Sequence, residues 1–259
     1  MNILPARSTT NWFNKVPEVT IFFWIIKMMS TTVGETAADF LTVNLDIGLT
    51  GTSVITGVLF AIALFFQIRA RRYVPSLYWL TVVLISVFGT LITDNLSDHF
   101  GVPLAVSTGL FSAALIGTFS VWYAKEKTLS IHAIDTVERE LFYWLAILFT
   151  FALGTAAGDW VAEGMNLGYA NSALLFGGLI AATALVHYVF KVNAVASFWI
   201  AYVLTRPLGA SCGDLLSQSA GNGGLGLGTT GTSAIFLATI LVLVLYMTAA
   251  QKAARVPRA

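Results

Sequence analysis

Hydrophobic positions along this chain fall in long blocks, not in alternation. Stretches such as Val54 to Phe66 and Ala234 to Met247 are almost unbroken. Polar or glycine- and proline-containing breaks separate eight blocks, at roughly 18–42, 50–68, 76–96, 103–124, 141–162, 169–190, 195–216 and 230–250, each close to the ~20 apolar residues that carry a helix across a bilayer. The pattern predicts an all-α integral membrane fold with eight transmembrane helices. It divides into a tail (1–17), a first half (18–124), a linker (125–140), a second half (141–250) and a second tail (251–259).

Composition agrees with the pattern. Hydrophobic residues make up 57% of the 259 positions and charged residues 10%, and mean hydropathy is +0.80, where soluble domains carry about 25% charge. Net charge is +1, and no basic run extends beyond Arg69, Arg71 and Arg72, which argues against nucleic acid as a partner. A lone cysteine, Cys212, excludes an internal disulfide and a thiolate zinc site. The first residues are polar, with Pro5, Arg7 and Lys15, and lead into the first block without a signal-peptide pattern.

The placement of charge says more than its sum. Of the 14 Lys and Arg residues, all but Lys27 and Arg206 precede block 1, follow block 8, or lie between blocks 2 and 3, 4 and 5, or 6 and 7. The alternate connections have none. The positive-inside rule then puts both termini in the cytoplasm. Acids show the reverse bias: Glu35, Asp39, Asp46, Asp94, Asp98, Asp159, Glu163 and Asp214 fall toward the outer side.

A fourfold repeat organises these residues. Each odd-numbered block holds an aromatic-Trp pair, a Gly ten residues after the Trp and an Asp five further on: Phe23-Trp24, Gly34, Asp39; Tyr78-Trp79, Gly89, Asp94; Tyr143-Trp144, Gly154, Asp159; Phe198-Trp199, Gly209, Asp214. Successive tryptophans are 55, 65 and 55 residues apart. Two spans per repeat make the repeats parallel, related by rotation about the membrane normal. On this pattern the chain resembles a family of bacterial membrane proteins built from four tandem copies of a repeat of unknown function, each with two transmembrane regions and a characteristic tryptophan. The resemblance covers all eight blocks and implies a bacterial inner membrane location; it implies no reaction.

Function must therefore come from the polar positions. Stepping back from each Asp in fours gives Lys27, Thr31, Glu35, Asp39; Val82, Ser86, Thr90, Asp94; Ile147, Phe151, Thr155, Asp159; and Tyr202, Arg206, Ala210, Asp214. Residues four apart share a helix face, so the odd helices should surround an axis while the apolar even helices face lipid. Intramembrane acids face a bundle interior and pair with something. Asp39, Glu35, Asp94, Asp159 and Asp214 are therefore the candidate ligands for a proton or a divalent cation, since all-oxygen sets suit Mn²⁺, Mg²⁺ or Ca²⁺ better than copper or zinc. Thr31, Thr90 and Thr155 are secondary candidates, and Asp98 with His99 could receive a cation at the outer mouth. Lys27 and Arg206 break the repeat and are candidates for counter-charge or gating, with partners on neighbouring helices.

Structural alternatives stand beside each reading. The Asp residues could cap the following turns, Lys27 could snorkel to the cytoplasmic surface, and the tryptophans could anchor helices at the interface. The repeated glycines allow either close helix approach or local unwinding. Thr50-Gly51-Thr52-Ser53 and Thr230-Gly231-Thr232-Ser233 open even helices, where hydroxyls cap amides. The leading expectation is a gradient-driven cation or metal transporter, with no resident cofactor and with the lipid bilayer and a small cation as its partners. A cation channel, a sensor or assembly subunit, and an intramembrane enzyme are the alternatives. The last rests on Gly158-Asp159 and Gly213-Asp214, which are similar to an aspartyl intramembrane protease motif, but Ala156 and Ser211 stand where that motif has its first glycine.

Overall fold

The computed structural model describes residues 14–253; Pro5, Arg7, Arg255, Arg258 and the side chain of Lys252 lie outside the described residues. Eight long helices follow in order: α1 (Ile21–Asp39), α2 (Gly48–Arg69), α3 (Pro75–Asp94), α4 (Leu104–Glu126), α5 (Val137–Asp159), α6 (Tyr169–Phe190), α7 (Ala194–Ser217) and α8 (Gly228–Ala253). Local chemistry sets their starts. Thr20 and Thr136 accept hydrogen bonds from the amides of Phe23 and Arg139, and Asn193 from those of Val195 and Ala196, satisfying donors that a helix start leaves free. Pro75 occupies the first turn of α3, where its missing N–H costs nothing. Six of the helices, α2 to α6 and α8, are long and apolar enough to cross a membrane. The other two hold Lys27, Glu35 and Asp39 (α1) and Arg206 and Asp214 (α7), and that charge lowers their mean hydropathy.

The odd helices form a closed ring. Helix α1 packs on α3 and α7, and α5 packs on the same two. Each even helix leans on the odd helix of the next repeat: α2 on α3, α4 on α5, α6 on α7, and α8 back on α1. Burial follows: 61% of the apolar window is buried in α3 and α5, against 22% in α2 and α4, 17% in α8 and 6% in α6. Odd helices thus surround the axis and even helices make the outer layer, as the stripes of polar residues imply.

Two sets of equivalent contacts stitch the ring. The residue seven after each Trp presses on the glycine of the preceding repeat. A Cβ on Gly34 would meet Ser86 Oγ at 2.6 Å, one on Gly89 would meet Phe151 Cβ at 2.5 Å, one on Gly209 would meet Thr31 Cβ at 2.5 Å, and one on Gly154 would strike Arg206. The helices run through these glycines unbroken, so close approach is their role and unwinding is not. Widening comes later, directly after Asp39, Asp94 and Asp159, where Phe40–Asn44, Asn95–His99 and Trp160–Gly164 form π-helical turns. Their i+5 bonds include Leu45 N to Phe40 O at 3.0 Å and Met165 N to Trp160 O at 2.8 Å.

The second set is aromatic. Trp79, Trp144, Trp199 and Trp24 pack on Phe23, Tyr78, Tyr143 and Phe198 of the preceding repeat, with ring centroids 5.7, 5.5, 6.2 and 5.7 Å apart. Trp79, Trp144 and Trp199 are buried and Trp24 is half-buried. These side chains are wedges between repeats and not interfacial anchors, because a ring of this size gains more by burying both faces. The serines of the two Thr-Gly-Thr-Ser segments likewise join helices to helices and cap no amides: Ser53 Oγ accepts from Asn95 Nδ2 at 2.8 Å, and Ser233 bonds to Thr36 at 2.7 Å.

A valine at position 209 has no room for its branched Cβ, whereas a methyl at Gly178 meets nothing within 4 Å. Gly209→Val is expected to cost at least the ~1–3 kcal/mol of an overpacked core. Gly178→Ala should be neutral or stabilising by up to about 1 kcal/mol through helix propensity. Thermal unfolding of both variants in detergent checks this; equal melting would deny the glycine contacts a role in closing the ring.

Candidate functional site

Arg206 lies at the centre of the ring and is fully buried. Its Nη1 donates to the Thr31 carbonyl at 2.8 Å, and its Nη2 donates to Glu35 Oε2 at 3.1 Å, to Thr155 Oγ1 at 2.6 Å and to Thr90 Oγ1. One guanidinium on α7 therefore bonds to α1, α3 and α5. The repeat explains the convergence, since Glu35, Thr90 and Thr155 all stand four residues before the Asp of their own helix. Ala210 is the equivalent on α7 and brings no polar group. Pro207, next in sequence, sits inside α7, with its Cδ 3.0 Å from where a Gly154 Cβ would stand. This close α5–α7 approach brings Arg206 to the axis.

Glu35, Asp159 and Asp214 each offer a carboxylate oxygen, and these oxygens lie within 4.8 Å of one another. They come from α1, α5 and α7, and Glu35 belongs both to this trio and to the Arg206 cluster. Asp39 and Asp94 stand outside the trio, half-buried at the ends of α1 and α3, close enough to interact with it through space. The four repeat aspartates thus do not meet at one point. Two of them do, with Glu35 as third member. Asp39, Asp94 and Asp159 form no capping hydrogen bond with the π turns they precede, so capping does not account for them. Asp98 and His99 are exposed. Asp98 accepts from Ser97 Oγ at 2.8 Å and the His99 ring stands edge-on to Phe100 at 4.9 Å, so neither joins the trio.

Lys27 is fully buried and does not snorkel. Among the described residues its Nζ has no hydrogen-bond partner, and it lies 4.0 Å from the ring centroid of Phe151 and 4.3 Å from that of Tyr202. The expectation of a partner from a neighbouring helix holds for Arg206 through Glu35 but finds no acceptor for Lys27.

A second buried ion pair escapes the sequence reading. Lys15 Nζ donates to Glu140 Oε2 at 2.7 Å and to the Ile68 carbonyl at 2.8 Å, while Gln67 Nε2 donates to Glu140 Oε1 at 3.1 Å. Lys15 falls in the segment read as a tail and Glu140 in the segment read as a linker. Thr136 was the available signal: as the cap of α5 it puts Glu140 in the first helical turn, on the face that continues into Tyr143 and Trp144.

Removing one member of a buried pair leaves an uncompensated charge, at a cost of about 3–5 kcal/mol. Arg206→Met, which keeps the stem packed on Gly154, is expected to lose about that much stability. The double variant Arg206→Met/Glu35→Gln should recover part of it. Denaturant unfolding of the two variants checks the pair, and equal losses would show that Glu35 is not the partner that matters.

No curated protein and no solved structure matches the chain. The family described as Repeat of Unknown Function (DUF347) matches it four times, over residues 22–73, 77–128, 142–193 and 197–253. Each match begins two residues before a repeat tryptophan and takes in one odd and one even helix, so the four copies correspond to the four structural repeats. The chain belongs to this family of tandem repeats of unknown function.

Proposed function

We propose that the protein is a gradient-driven cation transporter of the bacterial inner (cytoplasmic) membrane. All eight helices span the bilayer, both termini are cytoplasmic, and protons or a divalent cation such as Mn²⁺ pass through the acidic site on the bundle axis. The observation that carries this reading is the trio of Glu35, Asp159 and Asp214, whose oxygens lie within 4.8 Å of one another. Three carboxylates this close repel one another unless protons or a cation sit among them, and an all-oxygen set favours a hard ion. Arg206 supports it as well: a guanidinium bonded to Glu35 and to three other helix groups is a tethered cation in the place a mobile one would take. It lies across the axis, which fits an occluded carrier better than an open pore. The six apolar helices and the gathering of bases on alternate connections support the membrane placement.

One observation favours a second reading. Asp159 and Asp214 lie on adjacent helices with their oxygens within 4.8 Å, and paired carboxylates sharing a proton are what an aspartyl hydrolase requires. Glu35, within the same distance of both and bonded to Arg206, makes the arrangement a trio and weighs toward cation chemistry.

Proteoliposomes assayed with protons, Mn²⁺, Mg²⁺ and Ca²⁺ test the proposal. Asp214→Asn and Glu35→Gln are expected to lower flux of the transported ion by about tenfold or more, the cost of one charged ligand contact, and Asp39→Asn by less. Affinity should fall as pH falls, because protons compete for the same oxygens. If no cation moves, or if Asp214→Asn transports like wild type, the reading is wrong; cleavage of a membrane-embedded peptide abolished by Asp159→Asn would establish the second.

A further inference from the structure

Away from the acidic site, an open groove of about 730 Å³ runs between α4 and α7 at the tryptophan end of the bundle. Its walls are apolar, with Phe119, Leu129, Trp199, Val203 and Leu204 among them, while Lys127, Thr128 and Asn193 are its polar members. These three sit together where α4 ends and α7 begins. From Asn193, the cap of α7, to Leu204 is eleven residues, or roughly 16 Å of helix. That is about half of a ~30 Å hydrocarbon core, the depth of one leaflet.

The length of α4 explains the opening. In the equivalent seam of the other half, α8 packs on α3 as well as on α1. It runs to Ala253, about two turns past the position equivalent to Glu126, and Gln251 Nε2 donates to the Tyr73 carbonyl at 3.3 Å. Tyr73 is the equivalent of Asn193, so that seam is covered where this one is not. Helix α4 instead ends at Glu126, with Lys127 in the left-handed conformation at φ 55°. The Trp199 indole then donates to the Leu129 carbonyl at 2.9 Å, which ties the loop to α7 and holds the groove in shape.

Charge at the polar end has one sign. Glu126 and Asp135 are paired with Arg139, Glu138 with Lys125 and Glu140 with Lys15, so every acid of the 125–140 segment is already engaged. Lys127 is exposed and in no ion pair among the described residues, and the same holds for Lys191, two positions before Asn193. Asn193 Oδ1 accepts from the amides of Val195 and Ala196, which leaves its Nδ2 as a donor. We propose that the groove binds one anionic phospholipid from the leaflet at the tryptophan end, with an acyl chain along Phe119, Trp199 and Leu204 and the phosphate on Lys127 and Asn193. An apolar slot one leaflet deep that opens on donors and an unpaired ammonium group selects a lipid with a negative headgroup over a zwitterionic one. This goes beyond the transport reading and takes from it only that the bundle spans the membrane.

Native mass spectrometry of the full-length protein, titrated with phosphatidylglycerol or with phosphatidylethanolamine of the same acyl chains, tests the proposal. Wild type should bind the first phosphatidylglycerol at least about fivefold more tightly, the effect of one basic residue beside an anionic lipid. Lys127→Gln should lose that preference. Ala196→Phe, which fills the groove from the first turn of α7, should remove the first binding step; both positions are exposed, so neither change disturbs the core. Arg72→Gln, exposed between α2 and α3, should behave as wild type. Equal affinity for the two lipids in wild type, wild-type binding in Lys127→Gln or Ala196→Phe, or an equal loss in Arg72→Gln overturns the proposal. So does a dimer that Ala196→Phe dissolves while phosphatidylglycerol still binds, which would give the groove to a second copy, or lipid binding seen only after removal of residues 1–13, which would give it to that segment. Absent cation flux with the lipid preference intact would strike the transport reading alone.

Discussion

The contact on which the bundle depends is that of the Arg206 guanidinium with groups of the three other odd helices. A buried arginine has five N–H donors to satisfy; among the described residues the two Nη atoms of Arg206 find acceptors and Nε finds none. Here the Thr31 carbonyl, Glu35, Thr90 and Thr155 provide four contacts from three helices. That demand draws α1, α3, α5 and α7 to a common axis at one level. It also sets the electrostatics beyond, because the carboxylate trio gathers against the single positive group that bonds to one of its members.

Packing around this centre is cyclic and the chemistry is not. The glycine contacts and the Trp wedges recur four times, each joining a repeat to the next and the last to the first. A linear chain of four similar units thus closes a ring without a free edge. At the axis the equivalent positions diverge. Thr31, Ser86, Phe151 and Arg206 share one level, and Glu35, Thr90, Thr155 and Ala210 the next. At the level next to the four repeat aspartates, Glu35 stands with two hydroxyls and a methyl in place of three further acids, so the carboxylate trio of Glu35, Asp159 and Asp214 is off-centre. The ring supplies the scaffold, and departures from the repeat supply the function proposed for it.

The legible parts of the sequence were those written in periodicity. Eight apolar blocks, the Trp-Gly-Asp spacing and the i, i+4 stripes depend on local helix geometry, which is the same wherever a helix is placed. The stripes therefore located Glu35, Thr90, Thr155 and Arg206 on inward faces. Expectations failed where the answer depended on a neighbour. The tryptophans carry the composition of interfacial anchors but lie between repeats, because the aromatic residue of the adjacent repeat was waiting there. Lys15 fell in the segment read as a tail and Glu140 in the one read as a linker, yet they bury each other; Thr136 places Glu140 on its helix, but no local pattern pairs it with a partner 125 positions away.

The sequence by itself determined the helices, their fourfold kinship and which face of each odd helix is polar, since all of these follow from spacing along one chain. Only the tertiary structure decided which polar groups meet. Depth along a helix is set by a fixed rise per residue, but approach across the bundle is set by how closely glycines let adjacent helices come. Those glycine contacts are alike around the whole ring, and the α5–α7 approach differs from the others in carrying Pro207 against Gly154 and Gly158; Asp159 and Asp214 of these two helices join Glu35 at one point, while Asp39 and Asp94 of the same motif stand apart.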